Sequence, residues 1–285
     1  MVVLLLVLLK ACSGGSSRTD AGSCLSDLLP NLPASIDSVA GIDYVAARHQ
    51  GYADDGSLED IGASISETGV VPDPVTVAYR IKPLADDERF EAQTGVAPHD
   101  IECAIGTEQA AVLSGSFTPS RVKGSDAGAA GRLAATDEVL AFTSGKPPAA
   151  DLLEPATEDG LAGHEEVVEV LETLRDHDAY SLLVQRGDGT ERNGRARAAG
   201  IGAAGSGDDR NVVVVWSFVD EDAANEGRPE VAEQINTVLR GTASVRNSDL
   251  TVDGNLIVAD LPVRTAPDLS AIFDAGTRLV PEPAA

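Results

Sequence analysis

Val212-Val-Val-Val-Trp-Ser-Phe218 is an unbroken run of strand-forming residues that ends in a Ser-Phe pair. Apolar residues without polar alternation read as a strand covered on both faces or lying centrally. A helix is expected next, starting near Pro229, with Val231, Ile235, Val238 and Leu239 on one face. Then come Leu250-Thr-Val252, Asp253-Gly254 and Asn255-Leu-Ile-Val258. Asp-Gly between apolar runs signals a two-residue hairpin. Pro267 to Phe273 begins a closing helix.

The same order occurs earlier in the chain. Ala111-Val-Leu-Ser-Gly-Ser-Phe117 is a strand with the same terminal pair, and Thr118-Pro119 opens a helix. Leu133-Ala-Ala135 and Val139-Leu-Ala-Phe142 form a hairpin about Thr136-Asp-Glu138, and Pro147 to Leu153 begins another helix. This reads as two tandem strand-helix-hairpin-helix repeats, spanning 23–160 and 161–285. The expected class is α+β, with a mainly antiparallel sheet and helices packed on one face.

Between these segments, His164 to His177 reads as the clearest helix. Val167, Val168, Leu171 and Leu174 form an apolar stripe, and Glu165, Glu166 and Glu169 are expected to stay wet. Tyr180 to Val184 and Arg195 to Gly205 read as strands. Upstream, Ser23 to Leu32 reads as a short helix interrupted by Pro30, and Tyr44 to Arg48 as a strand. Leu58 to Ser66 reads as a short helix, Val75 to Ile81 as a strand, and Ala85 to Ala92 as an exposed helix.

The chain has 285 residues, 43% of them hydrophobic but only 4% aromatic, so Val, Leu, Ile and Ala must build the core. The formal net charge is -25 and the sequence pI about 4.3. Such a field repels nucleic acids and anionic lipid surfaces, which argues against nucleic-acid binding.

Val2 to Leu9 is an apolar run followed by Lys10-Ala11-Cys12. It is far shorter than the ~20 apolar residues a membrane span requires, and it reads as a secretory signal over residues 1–11. Leu9-Lys-Ala-Cys12 resembles the lipobox of bacterial lipoproteins, with Lys10 where a small uncharged residue usually stands. That resemblance implies lipidation of Cys12, with 12–22 as lipidated cysteine and polar tether. The chain holds three cysteines. Lipidating Cys12 leaves Cys24 and Cys103 as an even pair, open to a disulfide in an oxidising compartment or to two separate buried thiols.

The motifs that invite a ligand are few. Gly200-Ile-Gly-Ala-Ala-Gly205 spells G-x-G-x-x-G, but a valine strand follows where a phosphate-binding helix should begin. Arg186-Gly-Asp188 lies in a turn-rich hairpin tip and reads as a solvated turn. Arg186, Arg192, Arg195 and Arg197 form a basic cluster open to a carboxylate or phosphate, or to simple charge balance with nearby acids. His49, His99, His164 and His177 make no metal-binding pair, and Asp220, Asp222 and Asn225 lack the EF-hand pattern. No metal or cofactor is expected. No G-x-S-x-G elbow occurs either.

With the lipobox-like Leu9 to Cys12, the tether, the acidic Ala-rich body and junctions such as Ser116-Phe-Thr-Pro119, the chain is similar to uncharacterised secreted lipoproteins of GC-rich actinobacteria. Some of these are related to a broad α+β repeat family of unknown function. The resemblance implies anchoring at the extracytoplasmic face of the cell membrane and carries over no catalytic residues. The expectation is a non-enzymatic module that binds an envelope protein or a small ligand on a sheet face or in a groove between the repeats. The alternatives are a secreted hydrolase with paired acidic residues and an inert structural lipoprotein.

Overall fold

The computed structural model describes residues 23–50, 91–92, 101–107, 109–155, 160–187, 196–205, 210–239 and 249–263. The leader and tether, the helix at 58–66, the strand at 75–81, most of the helix at 85–92, and the closing helix at 267–273 lie outside them. Among the described residues, no helix is long and apolar enough to cross a membrane.

The described residues are α+β around one ten-stranded antiparallel sheet. Helix α1 (Ser23–Leu28) runs into a 3₁₀ turn at Leu29–Asn31, with Pro30 where the α-helix stops. Strand β1 (Ser38–Asp43) then meets helix α2 (Tyr44–His49). Strands β2 (Ile101–Gly106) and β3 (Ala110–Gly115) lead to the short helices α3 (Pro119–Gly124) and α4 (Asp126–Ala129). The hairpin β4 (Leu133–Ala135) and β5 (Val139–Thr143) follows, then a 3₁₀ turn at Ala149–Leu152. Helix α5 (Glu165–Asp176) precedes β6 (Ala179–Arg186), β7 (Ala198–Ala204) and β8 (Arg210–Ser217). Helix α6 (Glu221–Leu239) and the hairpin β9 (Asp249–Asp253) and β10 (Leu256–Val263) end the described chain. The strand order is β4-β5-β3-β2-β1-β6-β7-β8-β10-β9.

Several expectations are corrected. Tyr44 to Arg48 is helical, not a strand. The Asp43 carboxylate accepts the backbone N–H of Ala46 at 2.7 Å, an N-cap that ends β1 and starts α2. Helix α6 begins at Glu221, eight residues before Pro229, because Asp220 caps it by accepting from the Ala223 N–H at 2.8 Å. Pro229 is therefore interior. It deprives the Asn225 carbonyl of a donor, and Asn225 is exposed to water there. The hairpin turn is Gly254-Asn255, since Asp253 pairs with Leu256. Gly254 has φ 55°, which fits a glycine-led II′ turn. Pro147 to Leu153 yields only the 3₁₀ turn at Ala149–Leu152.

Helices cover both faces of the sheet, not one. Strand β8 shows why: Val212, Val214 and Trp216 join one core and Val213 and Val215 the other, so both faces must be sealed. On the first face lie Val122 of α3, Ala127 of α4, and Ala224, Val231 and Ile235 of α6. The second face takes Leu25 and Leu28 of α1, with Val167, Val170, Leu171 and Leu174 of α5. Val170 thus fills the stripe position expected of Val168, which is half-buried.

Gly200 and Gly202 have a packing cause, while Gly205 has φ 73° at the end of β7. A Cβ at Gly200 would meet Val170 Cγ1 at 2.5 Å and Leu174 Cδ1 at 2.8 Å, and one at Gly202 would meet the Ala179 Cβ at 2.7 Å. Helix α5 therefore lies directly on the β7 backbone. Gly200→Ala should cost about 1–3 kcal/mol by overpacking, read as a lower midpoint in urea. Gly124→Ala, at an open helical position, should be neutral or add up to about 1 kcal/mol.

Cys24 and Cys103 form a disulfide across 79 residues of sequence. It fastens α1 to β2 in the sheet, with Cys103 fully buried and its sulfur 3.2 Å from Ser114 Oγ. Reduction should lower the unfolding free energy by about 4 kcal/mol in the chain-entropy model, measured as the urea midpoint with and without a phosphine reductant.

Candidate functional site: a polar seam at the start of helix α5

Antiparallel order brings the end of β6, the approach to β7, the end of β8 and the start of β10 to one end of the sheet. Arg186 pairs with Ala198, Ala198 with Ser217, and Ser217 with Leu256. Asp37, just ahead of β1, joins them because its carbonyl accepts the Arg186 backbone N–H at 2.7 Å. The first turns of α5 lie over this row, and a continuous polar seam fills the gap.

The seam starts at Asp37, whose Oδ1 accepts from Arg186 Nη2 at 2.6 Å. Arg186 Nη1 reaches the His164 ring, 2.6 Å from Nε2 and 3.2 Å from Nδ1, and lies 3.4 Å from the Ala34 carbonyl. His164 Nδ1 stands 3.7 Å from Glu166 Oε1. Arg197 Nη2 donates to Glu166 Oε2 at 3.1 Å, and the Arg197 backbone N–H donates to the Ser217 carbonyl at 2.6 Å. One turn further on, Glu169 Oε2 accepts from Asn255 Nδ2 at 2.8 Å and from Ser217 Oγ at 3.2 Å.

Two of the three glutamates expected to be wet are thus drawn inward. Glu166 is 8% exposed and Glu169 half-buried, while Glu165 stays exposed. The strand ends beneath them supply the donors that water would otherwise provide.

Of the basic cluster, the structure brings Arg186 and Arg197 to the same seam. Arg192 and Arg195 lie outside the described residues. Each of the two placed guanidiniums faces a carboxylate of the chain itself, so an arriving anion has to compete with Asp37 or Glu166. Asp37, Ser217 and Asn255 were not singled out from the sequence as site residues. The signal within reach was the Ser-Phe pair, whose serine turns toward Glu169. Cys12 and His99 lie outside the described residues, and no group of three or more His, Cys, Asp or Glu able to hold a metal occurs among those described. Asp220 and Asn225 serve helix α6, the latter donating to the Glu221 carbonyl at 2.9 Å.

At the opposite end of β1 and β6 lies a small cleft of about 40 Å³, lined by residues including Asp43, Gln50, Leu171 and Arg175. That holds a water or two, against the roughly 300–1,000 Å³ of a small-molecule pocket. It closes under Asp178, held at φ 58° after α5, whose carbonyl accepts from Gln50 Nε2 at 3.0 Å.

No family model matches the chain, and no curated protein does. A solved structure of a protein designated TP0453 is similar at 11% identity and a TM-score of 0.42, over 88% of this chain and 98% of that one. A likeness at that level carries no argument about fold or function.

Because the Glu166 side chain is 10% exposed and that of Arg197 46%, removing the arginine strands a nearly buried carboxylate. Arg197→Ala should cost about 1–3 kcal/mol, and Glu166→Gln, which keeps an acceptor for Arg197, should cost less. Chemical denaturation of both variants and of their double mutant checks the coupling.

Proposed function

We propose that the chain is a lipid-anchored extracytoplasmic protein whose folded part is a non-enzymatic interaction module at the cell envelope. The observation that carries this reading is the Cys24–Cys103 disulfide. Disulfides persist in oxidising compartments, and this one leaves Cys12, directly after the apolar run, as the single cysteine outside the pair. Lipidation of Cys12 accounts for that odd thiol and gives the module a membrane partner.

The body is two copies of one unit, split at 160/161. Each half has a helix, three neighbouring strands, a helical segment and a hairpin, the first half with α2 inserted after β1, and in each the second hairpin strand pairs with the third of the three strands. The halves meet antiparallel through β1 and β6. The Ser-Phe pairs act alike: the Phe117 N–H donates to the Asp137 carbonyl and the Phe218 N–H to the Asn255 carbonyl, both at 2.9 Å. Both rings enter the same core.

An envelope protein is favoured as the partner over a small ligand. Among the described residues, the cleft beside the ends of β1 and β6 holds only water-sized guests, and both faces of the sheet carry packed cores. The hydrolase alternative is the weaker one. The two acids drawn together on α5 are committed, Glu166 to Arg197 and Glu169 to Ser217 and Asn255.

The deciding measurement is the intact mass of the native protein from its own membranes, before and after reduction. The expected species begins at Cys12, carries lipid mass and gains two hydrogens on reduction. An unmodified chain beginning at Met1 with three free thiols overturns the proposal.

A further inference from the structure

We propose that the outer edge of β9 is a strand-addition site for an extended basic segment of a partner protein, whose lysines or arginines stand opposite the aspartates of the strand. This deepens the interaction-module reading and rests on it for the partner's being a protein, but not on the lipid anchor.

The hairpin turn sets which backbone groups face outward. Gly254-Asn255 is a two-residue loop, so Asp253 and Leu256 form the hydrogen-bonded pair that closes it. Bonded and non-bonded pairs then alternate along the two strands. Val252 with Ile257 and Leu250 with Ala259 are non-bonded pairs, so the N–H and C=O groups of Leu250 and Val252 point away from β10. The bond from Arg228 Nη2 to the Leu250 carbonyl, at 3.0 Å, has that orientation. Strand β9 is last in the sheet order, and among the described residues no strand and no backbone partner meets the other outward groups. Such a row is a template for one more strand.

Side chains alternate along the same edge. Leu250 and Val252 pack against the first core but stay half-buried, while Thr251 and Asp253 are exposed. An added strand with apolar residues opposite Leu250 and Val252 completes their cover.

Charge selects the occupant. Asp249 and Asp253 end the strand, and Asp249 is directly opposite Asp260 on β10. Asp260 Oδ1 accepts from Asn211 Nδ2 at 2.6 Å, a neutral donor that does not cancel its charge. Like charges opposite each other destabilise a sheet and unlike charges stabilise it. A second copy is therefore disfavoured: β9 laid antiparallel on β9 about Thr251 sets Asp249 against Asp253 at both ends, between chains of net charge -25. A segment patterned basic-apolar-polar-apolar-basic sets a cation opposite each aspartate instead. Main-chain bonds then supply affinity and the alternate side chains supply specificity. The segment has to displace Arg228 from the Leu250 carbonyl, so the arginine guards the edge against strands that lack the matching cations.

The test is NMR and amide exchange on the full chain with the end-capped peptide Lys-Val-Thr-Val-Lys. Protection of the Leu250 and Val252 amides should rise several-fold on adding peptide. Thr251, whose N–H faces β10, should change little, and salt should weaken the effect. Two control peptides should leave these amides unchanged: one N-methylated at both valines, which cannot donate to the edge, and Glu-Val-Thr-Val-Glu. No response to the lysine peptide, or an equal response to either control, overturns the proposal. So does protection of both amides in the free chain. Protection that grows with protein concentration assigns the edge to a second copy, and protection independent of concentration assigns it to a segment of the chain itself. Because the readout needs no lipid, it stands or fails separately from the intact-mass result.

Discussion

Helix α5 rests on the β7 backbone because positions 200 and 202 carry no Cβ. Val170 and Leu174 occupy the space a methyl group would need, so the helix axis sits closer to the sheet than ordinary side chains permit. Much of the rest follows from that approach. A helix held this low brings its first two turns within hydrogen-bond reach of the strand ends, where Glu166 meets Arg197 and Glu169 meets Ser217 and Asn255. Raised by one side-chain layer, those carboxylates would face water and the seam would not exist. An apolar contact in the middle of the helix thus fixes the polar geometry at its end.

The second constraint is the sheet's centre. Strands β1 and β6 are far apart in sequence but adjacent in space, and each half contributes an antiparallel run outward from them. The cost of closing so long a connection is eased on one side by the disulfide, which fixes α1 on β2 next to β1. Asp37 and Arg186 add a polar tie across the same boundary, at the end remote from the cleft. Strand pair and ion pair therefore act at one boundary and keep the two halves from sliding past each other, while the staple holds the first half to itself.

Elements whose cause is local were legible in the sequence. The valine run of β8, the alternation in the hairpins and the 3.6-residue period of α5 each announce themselves within a dozen residues. The misreadings also have local causes. Asp43 ends a strand by capping a helix, and without the contact to Ala46 nothing in Tyr44 to Arg48 separates the two readings. Pro229 invites assignment to a helix start, while the start was set by Asp220. The seam is a different matter. Asp37 and Arg186 lie 149 residues apart, and Asn255 and Glu169 lie 86 apart. Their meeting is a product of strand order, which no periodicity encodes. The glycines were visible but spelled a nucleotide motif, when the cause at Gly200 was helix α5 packed on the strand and at Gly202 the neighbouring Ala179.

The distribution of charge follows the same logic. Acids outnumber bases 46 to 21, and several of the arginines described are used on the protein itself. Arg186 and Arg197 hold the seam, Arg48 donates to the Ile101 carbonyl, and Arg228 donates to Leu250 on edge strand β9. The last bond occupies a carbonyl of an edge strand, where an exposed acceptor invites pairing with another chain. With acids in such excess, long-range steering favours basic or neutral partners over anionic ones. An anion that reached Arg186 or Arg197 would have to displace a carboxylate already seated there. The seam is therefore built to hold α5 in place.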